Sequence, residues 1–216
     1  MQQPIDERQD YDPVATEYAR RFLHELDYKP WDCALLDRFA ALVAGKSRVM
    51  DIGTGPGQVA AYLHSRGLDV FGVDLSAAMV AQAQAANPQV EFRQGDMRSL
   101  DLPDNSLAGI TALYSIIHID RTGVTTVLKE LRRVLQPGGR LLLSFHEGDE
   151  IRHFDELWGQ QVKLDFVFFM RAEMEGYLRE AGFAIDDVLE RDAIPEQEVA
   201  THRIYIIASK PSDGIS

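Results

Sequence analysis

From residue 47 onward, two hydrophobic rhythms alternate. Short, nearly continuous apolar runs span Ser47–Ile52, Asp69–Val73, Gln89–Arg93, Leu107–Tyr114 and Arg140–Phe145, and each reads as a strand. Between them lie stretches with helical spacing: Gly57–Ser65, the alanine-rich Ser76–Ala86, and a segment whose Val124, Val127, Leu128, Leu131, Val134 and Leu135 fall on one helix face. Gln136-Pro-Gly-Gly139 reads as a turn. Apolar strands alternating with helices predict a parallel sheet covered on both faces, hence an α/β fold of three layers.

The pattern changes at both ends. Asp12-Pro13 reads as an N-cap followed by a proline at the first helical position, and Val14, Tyr18, Phe22 and Leu26 continue at helical spacing. A second helix is expected from Trp31 to Val43, ended by Gly45. After the alternating region, Val162–Phe169 reads as one short strand, Arg171–Ala181 as a helix stopped by Gly182, and Phe183–Leu189 with Val199–Ser209 as a closing hairpin that gives the sheet an antiparallel edge. The tail Lys210–Ser216 is expected to fray. The expectation is one domain over residues 1–216: a helical cap (1–45), a ligand-binding core (46–148), and a substrate-side segment with the hairpin (149–210).

Composition narrows the partners. The chain has 216 residues, 45% apolar and 26% charged, which suits one globular domain. No apolar run approaches the roughly 18–20 residues that span a bilayer, and Met1–Arg8 has no apolar leader core. With a single cysteine, Cys33, these features predict a cytoplasmic protein without disulfides or a membrane partner. The net charge of −12 argues against nucleic acid, since phosphate binding needs clustered cations. The nearest cluster, Lys129 with Arg132 and Arg133, reads as the outer face of a helix.

The densest chemistry lies in Val49–Ala60, Val-Met-Asp-Ile-Gly-Thr-Gly-Pro-Gly-Gln-Val-Ala. A strand ends in Asp51, and Gly53, Gly55 and Gly57 form a turn that opens a helix. Such a corner lets ligand atoms approach the backbone, with helix-start N–H groups facing them. The dinucleotide fingerprint G-x-G-x-x-G needs a glycine where Gln58 stands. An acid beside the turn repels a pyrophosphate and suits a cation, such as an amino acid's ammonium. These residues therefore favour a nucleoside joined to an amino acid over a dinucleotide.

Asp51-Ile-Gly-Thr-Gly-Pro-Gly57 resembles motif I of the class I S-adenosylmethionine-dependent methyltransferases. The order of elements resembles that family over about residues 11–210, and the motifs over about residues 47–146. The resemblance implies a doubly wound, mostly parallel seven-stranded sheet whose final strand is antiparallel. It implies S-adenosylmethionine as cofactor and S-adenosylhomocysteine as product, held by Asp51, Gly53, Thr54, Gly55 and Gly57. Gly-Val-Asp74-Leu75-Ser looks like the second motif, with Asp74 on the ribose hydroxyls and Leu75 and Met79 nearby. Gly95-Asp96-Met97 resembles the adenine site, Tyr114 would lie beside the methionine part, and Tyr18 belongs to a cap similar to those that fold over the cofactor.

The residues allow other roles. Asp74 also suits a helix N-cap or an NAD site, Asp96 an ordinary loop, and Tyr18 helix packing. His118 and His146, after the fourth and fifth core strands, are candidates to orient or deprotonate a substrate, or are structural. His146-Glu147 with His153 is too sparse a set for a metal, and none is expected. Trp158 with Phe166, Phe168 and Phe169 would roof an apolar acceptor, some of them as core. No proline lies between Asn105 and Gln136, which excludes the Asp/Asn-Pro-Pro-Tyr/Phe signature of nucleic-acid amino-methyltransferases. Asp32 before Cys33 excludes the Pro-Cys pair of the cytosine-C5 type. The leading expectation is direct in-line methyl transfer to a small molecule. An NAD-dependent oxidoreductase and a non-catalytic cofactor-binding module are the alternatives, and the oligomeric state is left open.

Overall fold

A computed structural model describes residues 11–212. The leader expectation at Met1–Arg8 and the end of the tail lie outside these residues. The chain runs α1 (Ala15–Phe22), α2 (Pro30–Val43), β1 (Val49–Ile52), α3 (Gln58–Ser65), β2 (Val70–Asp74), α4 (Ala77–Ala86), β3 (Glu91–Gln94), β4 (Leu107–Leu113), α5 (Val124–Val134), β5 (Leu135–His146), β6 (Ile151–Leu157), β7 (Gln160–Val167), α6 (Arg171–Glu180), β8 (Ala184–Arg191) and β9 (Arg203–Ser209).

Seven strands form one sheet in the order β3-β2-β1-β4-β5-β9-β8. Neighbours from β3 to β5 pair in parallel, whereas β9 pairs antiparallel with both β5 and β8. The seven-stranded, mostly parallel expectation therefore holds, with β9 inserted between β5 and β8. Strand periodicity divides the core in two. Met50, Ile52, Leu141, Leu143, Ile204 and Ile206 pack towards α5 and α6. Val49, Leu142, Tyr205 and Ile207 pack towards α2 and α3. Val124, Val127, Leu128, Leu131 and Val134 of α5 are fully covered, each worth about 1.5–3 kcal/mol over an exposed side chain. Strand order reverses between β1 and β4, and doubly wound sheets bind ligands beyond the carboxyl ends of strands at such a point.

Four local expectations change. Ile151–Leu157 and Gln160–Val167 form a separate two-stranded antiparallel hairpin where one strand was expected. Its turn, Trp158-Gly159, has φ of 51° and 81°, the left-handed pair of a two-residue hairpin turn. Val162 and Leu164 bury against Val14, Tyr11 and Trp158, so this part of the hairpin docks on the N-terminal cap, while Val167 joins the core on the main sheet. Gln136–Gly139 lies within β5 as a wide irregularity opposite Ala108. Residues 199–202 precede β9 as loop. The helix expected through Leu26 breaks after Phe22 into a 3-10 turn, Glu25–Tyr28.

Asp12 does not cap its own helix. Its carboxylate reaches across to α4, accepting from Ser76 Oγ and from the Ala78 amide at 3.2 Å. Ser76 Oγ in turn accepts from the Met79 amide, the N-cap bond of α4. Lys129, Arg132 and Arg133 are tied to Glu180, the Gly182 carbonyl, and Glu130 with Asp104. Among the described residues, no helix is long and apolar enough to cross a membrane.

Candidate functional site

A cleft of about 1610 Å³ opens at the carboxyl ends of the parallel strands, between the sheet, the N-terminal cap and the β6–β7 hairpin. Tyr18, Asp51, Gly53, Thr54, Gly55, Asp74, Leu75, Met79, Gly95, Asp96, Met97, Tyr114, His118 and His146 all line it. Gly57 does not. It begins α3 at φ 86°, and a Cβ there would stand 2.6 Å from the Phe92 ring. Its lack of a side chain lets helix and sheet pack closely. A smaller depression of about 580 Å³ at the opposite strand ends contains Arg48, Asp69 and Glu91, which pair with one another.

The first acidic corner is Asp51, 2% exposed in a strand covered on both faces. Thr54 Oγ1 donates to one carboxylate oxygen and Thr111 Oγ1 to the other, each at 2.6 Å. Burial pushes the carboxyl up to about 6 against these hydroxyl bonds, with Asp74 adding repulsion. No cation pairs with Asp51 among the described residues. Thr111 was not anticipated, although a polar residue inside the apolar run of β4 was its signal.

The glycine turn differs from expectation. The amides of Gly53 and Thr54 donate to the Val73 carbonyl, and that of Gly57 to the Thr54 carbonyl. The Gly55 amide donates to Asp74 Oδ2 at 2.8 Å. These N–H groups hold the turn together instead of facing a ligand. Gly53 is the tightest point: its φ is 68°, and an added Cβ would meet Ser115 Cβ at 2.3 Å. Strain and overpacking together predict that Gly53→Ala costs about 2–4 kcal/mol, or roughly 5–15 °C in melting temperature. Thermal denaturation of the variant checks this, and an unchanged midpoint would contradict the packing described.

Asp74 ends β2 and accepts from the Gly55 amide and, at 2.9 Å, the Ser76 amide. Burial raises its carboxyl, and nearby Asp12 adds to the effect. Asp96 differs. Arg98 grips it through the backbone amide and guanidinium, at 2.6–3.0 Å. Burial alone would raise that carboxyl, but the Arg98 bonds hold it below its ordinary value. The third corner is thus an ion pair rather than an open acid. Two buried polar atoms beside the turn, Ser115 Oγ and Gln58 Oε1, have no hydrogen bond among the described residues.

Beyond the acids, the wall is aromatic. Tyr114, held at φ 51°, stacks on His146 at 4.9 Å, and Phe168 covers the other face of that imidazole at 5.2 Å. His118 meets Phe166 at 5.0 Å and Tyr11 at 5.2 Å. Its Nδ1 contacts the Asp165 carbonyl, which only accepts, so Nε2 accepts the Tyr11 hydroxyl at 2.9 Å. Desolvation brings both imidazoles down to about 4, aided at His146 by Arg203 and Arg152. Trp158, Phe166 and Phe168 line the cleft, whereas Phe169 is core. His153 bridges Asp165 and Asp155 on the exposed hairpin. Among the described residues, no three His, Cys, Asp or Glu side chains are grouped to hold a metal.

The sequence model of the methyltransferase domain matches residues 49–139, the stretch that supplies both buried acids and the glycine turn. Residues 49–139 thus carry a methyltransferase domain similar to those of S-adenosylmethionine-dependent methyltransferases. The chain is 31% identical to the demethylmenaquinone methyltransferase of Beutenbergia cavernae over 60% of its own length and 52% of the relative's. It is 34% identical to an uncharacterised methyltransferase of Mycobacterium tuberculosis, over 55% of itself and 49% of the relative. The chain thus spans about half the length of these curated relatives. The crystal structure of a methyltransferase from Methanosarcina mazei superposes with a TM-score of 0.70 at 20% identity, covering 77% of this chain and 93% of that one. That likeness establishes the class I methyltransferase fold.

Proposed function

We propose that this protein transfers a methyl group from S-adenosylmethionine to a small-molecule acceptor. The observation that carries the reading is Asp51, a buried carboxylate with hydroxyl and amide partners but no cation among the described residues, at the switch point of the sheet. An anion so placed is costly alone and is offset by a cationic ligand. The amino-acid ammonium of the cofactor supplies that charge. The unpartnered hydroxyl of Ser115 and the open acceptor lone pairs of Asp74 fit a ligand rich in polar hydrogens. Leu75, Met79, Gly95 and Met97 would flank its nucleoside, with Asp96 reaching the base from its Arg98 pair and Tyr18 closing from the cap. The pieces 1–45, 46–148 and 149–210 would then serve as lid, donor site and acceptor side.

Bound there, the sulfonium supplies an already activated methyl. The protein's task is alignment of nucleophile, carbon and sulfur, and exclusion of water. Relatives support a small acceptor: one is named demethylmenaquinone methyltransferase, another malonyl-[acyl-carrier protein] O-methyltransferase from Enterobacter lignolyticus, 25% identical over 72% of this chain. The cleft exceeds the roughly 300–1,000 Å³ common for one ligand, leaving room for an acceptor beside the donor. The reading is tested by melting the protein with S-adenosylhomocysteine or with NAD. The former is expected to raise the midpoint by several degrees, since binding to the native state stabilises it, and the latter to leave it in place. A shift with NAD alone would return the oxidoreductase reading.

A further inference from the structure

Resting on the methyl-transfer reading, we propose that His146 receives the acceptor, and that the acceptor carries a proton on its nucleophilic atom: a hydroxyl or an N–H, not a carboxylate.

Hydrogen-bond accounting separates the two cleft histidines. Both nitrogens of His118 are engaged, Nδ1 by the Asp165 carbonyl and Nε2 by the Tyr11 hydroxyl. At His146 both ring faces are covered by aromatic rings, and Nδ1 lies 2.9 Å from Thr201 Oγ1. That hydroxyl also contacts the Val199 carbonyl at 3.3 Å. A hydroxyl has one proton and a carbonyl only accepts, so the arrangement that satisfies both contacts has Thr201 donating to Val199 and Nδ1–H donating to Thr201. Nε2 then holds a lone pair. It has no hydrogen bond among the described residues, and His146 lines the cleft. Only a ligand that donates a hydrogen satisfies it. A carboxylate would set lone pair against lone pair.

The chemistry balances. The acceptor's lone pair forms the new bond to the methyl carbon as the carbon–sulfur bond breaks towards sulfur. The acceptor's proton passes to Nε2, so the positive charge that began on the sulfonium ends on the imidazole. Desolvation makes His146 a weak base, which suffices for a hydroxyl or a weakly basic N–H such as an aromatic amine's, because these become acidic once the heavy atom is alkylated. Tyr114 and Phe168 fix the ring plane, so the proton acceptor needs no reorientation during transfer.

The test uses the full chain, 15N-labelled and saturated with S-adenosylhomocysteine, with phenol and benzoate as probes that share a ring and differ in the donor. Long-range 15N–1H spectra are expected to show His146 with its proton on Nδ1. Phenol should shift the Nε2 resonance and bind about tenfold more tightly than benzoate, the factor expected for one satisfied against one opposed buried lone pair. His146→Phe keeps the stack and should abolish that preference, while calorimetry shows affinity for S-adenosylhomocysteine within about twofold of the parent. His146→Gln restores an acceptor oxygen and should recover part of the preference. A proton on Nε2 of His146, or a phenol preference indifferent to His146→Phe, would overturn the inference while leaving the cofactor reading intact. Failure of the parent protein to bind S-adenosylhomocysteine would remove both.

Discussion

Asp51→Asn is expected to bind S-adenosylhomocysteine about ten- to a hundredfold more weakly than the parent, yet to melt at a higher temperature without ligand. The affinity loss follows from removing a charged hydrogen-bond partner, worth about 1.5–3 kcal/mol. The stability gain follows from the same carboxylate. Its value rises from 3.8 unfolded to about 6 folded, so between those values the native state binds more protons than the unfolded one. Stability contributed by this group is therefore greatest in acid, falls as pH rises through about 6, and is lost above it. Two units correspond to roughly 3 kcal/mol at most. The asparagine variant lacks this slope. Because an ammonium favours the ionised carboxylate, the parent's affinity for the product should strengthen from pH 5 to pH 7.5. Calorimetry and melting curves at those two pH values check both halves. A variant that binds as tightly as the parent would remove Asp51 from the cofactor site.

Arg191→Met is expected to be the most damaging substitution away from the cleft floor, at about 3–5 kcal/mol, the range for breaking a buried ion pair from one side. The guanidinium donates to Asp32 at 2.9 Å and to Glu198 at 2.7 Å, and lies over the rings of Trp31 and Tyr205. Lys29 also pairs with Glu198 at 3.0 Å. Tyr205 donates to Asp32, so the Tyr114 hydroxyl, 2.7 Å away, donates to Tyr205. Loss of Arg191 leaves Asp32 without its cation, takes one of the cations from Glu198, and loosens the chain of bonds that ends at Tyr114. A midpoint some 10 °C lower is the expected readout for a domain of this size. Adding Asp32→Asn and Glu198→Gln should recover much of the loss, because the penalty lies in the unpaired charges. If the single variant melts like the parent, the network is only a surface arrangement. Burial would raise Glu198, but Arg191 and the Ile194 amide hold it well below the usual carboxylate range. Its stabilisation is present above the unfolded value of about 4.3 and disappears as pH falls below it.

The alternation of apolar runs and helical spacing was enough to place the core strands and their covering helices, because each signal lies within one short stretch of chain. Asp51, the glycine turn and Asp74 were legible for the same reason: strand, turn and helix start are contiguous, and an acid in an apolar strand stands out. The β6–β7 hairpin was not legible. Ile-Arg-His-Phe-Asp-Glu-Leu carries too many charges to read as a strand, and its buried partners, Val14 and Tyr11, lie far away in sequence. Asp12 looked like a local cap because nothing nearby tells it that α4 stands within reach. The Arg98 grip on Asp96 was short-range but depended on a side-chain rotamer, which periodicity does not encode.

The sequence by itself determined the layer order, the methyltransferase-like motif and the acidic floor of the cleft, since these follow from backbone preferences and spacing along a few adjacent residues. Only the tertiary structure decided which of the two candidate histidines has both ring nitrogens engaged, which acid is already matched by a cation, and which charges surround Tyr205 beside Tyr114. Those outcomes depend on partners such as Asp32 with Arg191, or His146 with Thr201, that meet only when separate elements pack and exclude water.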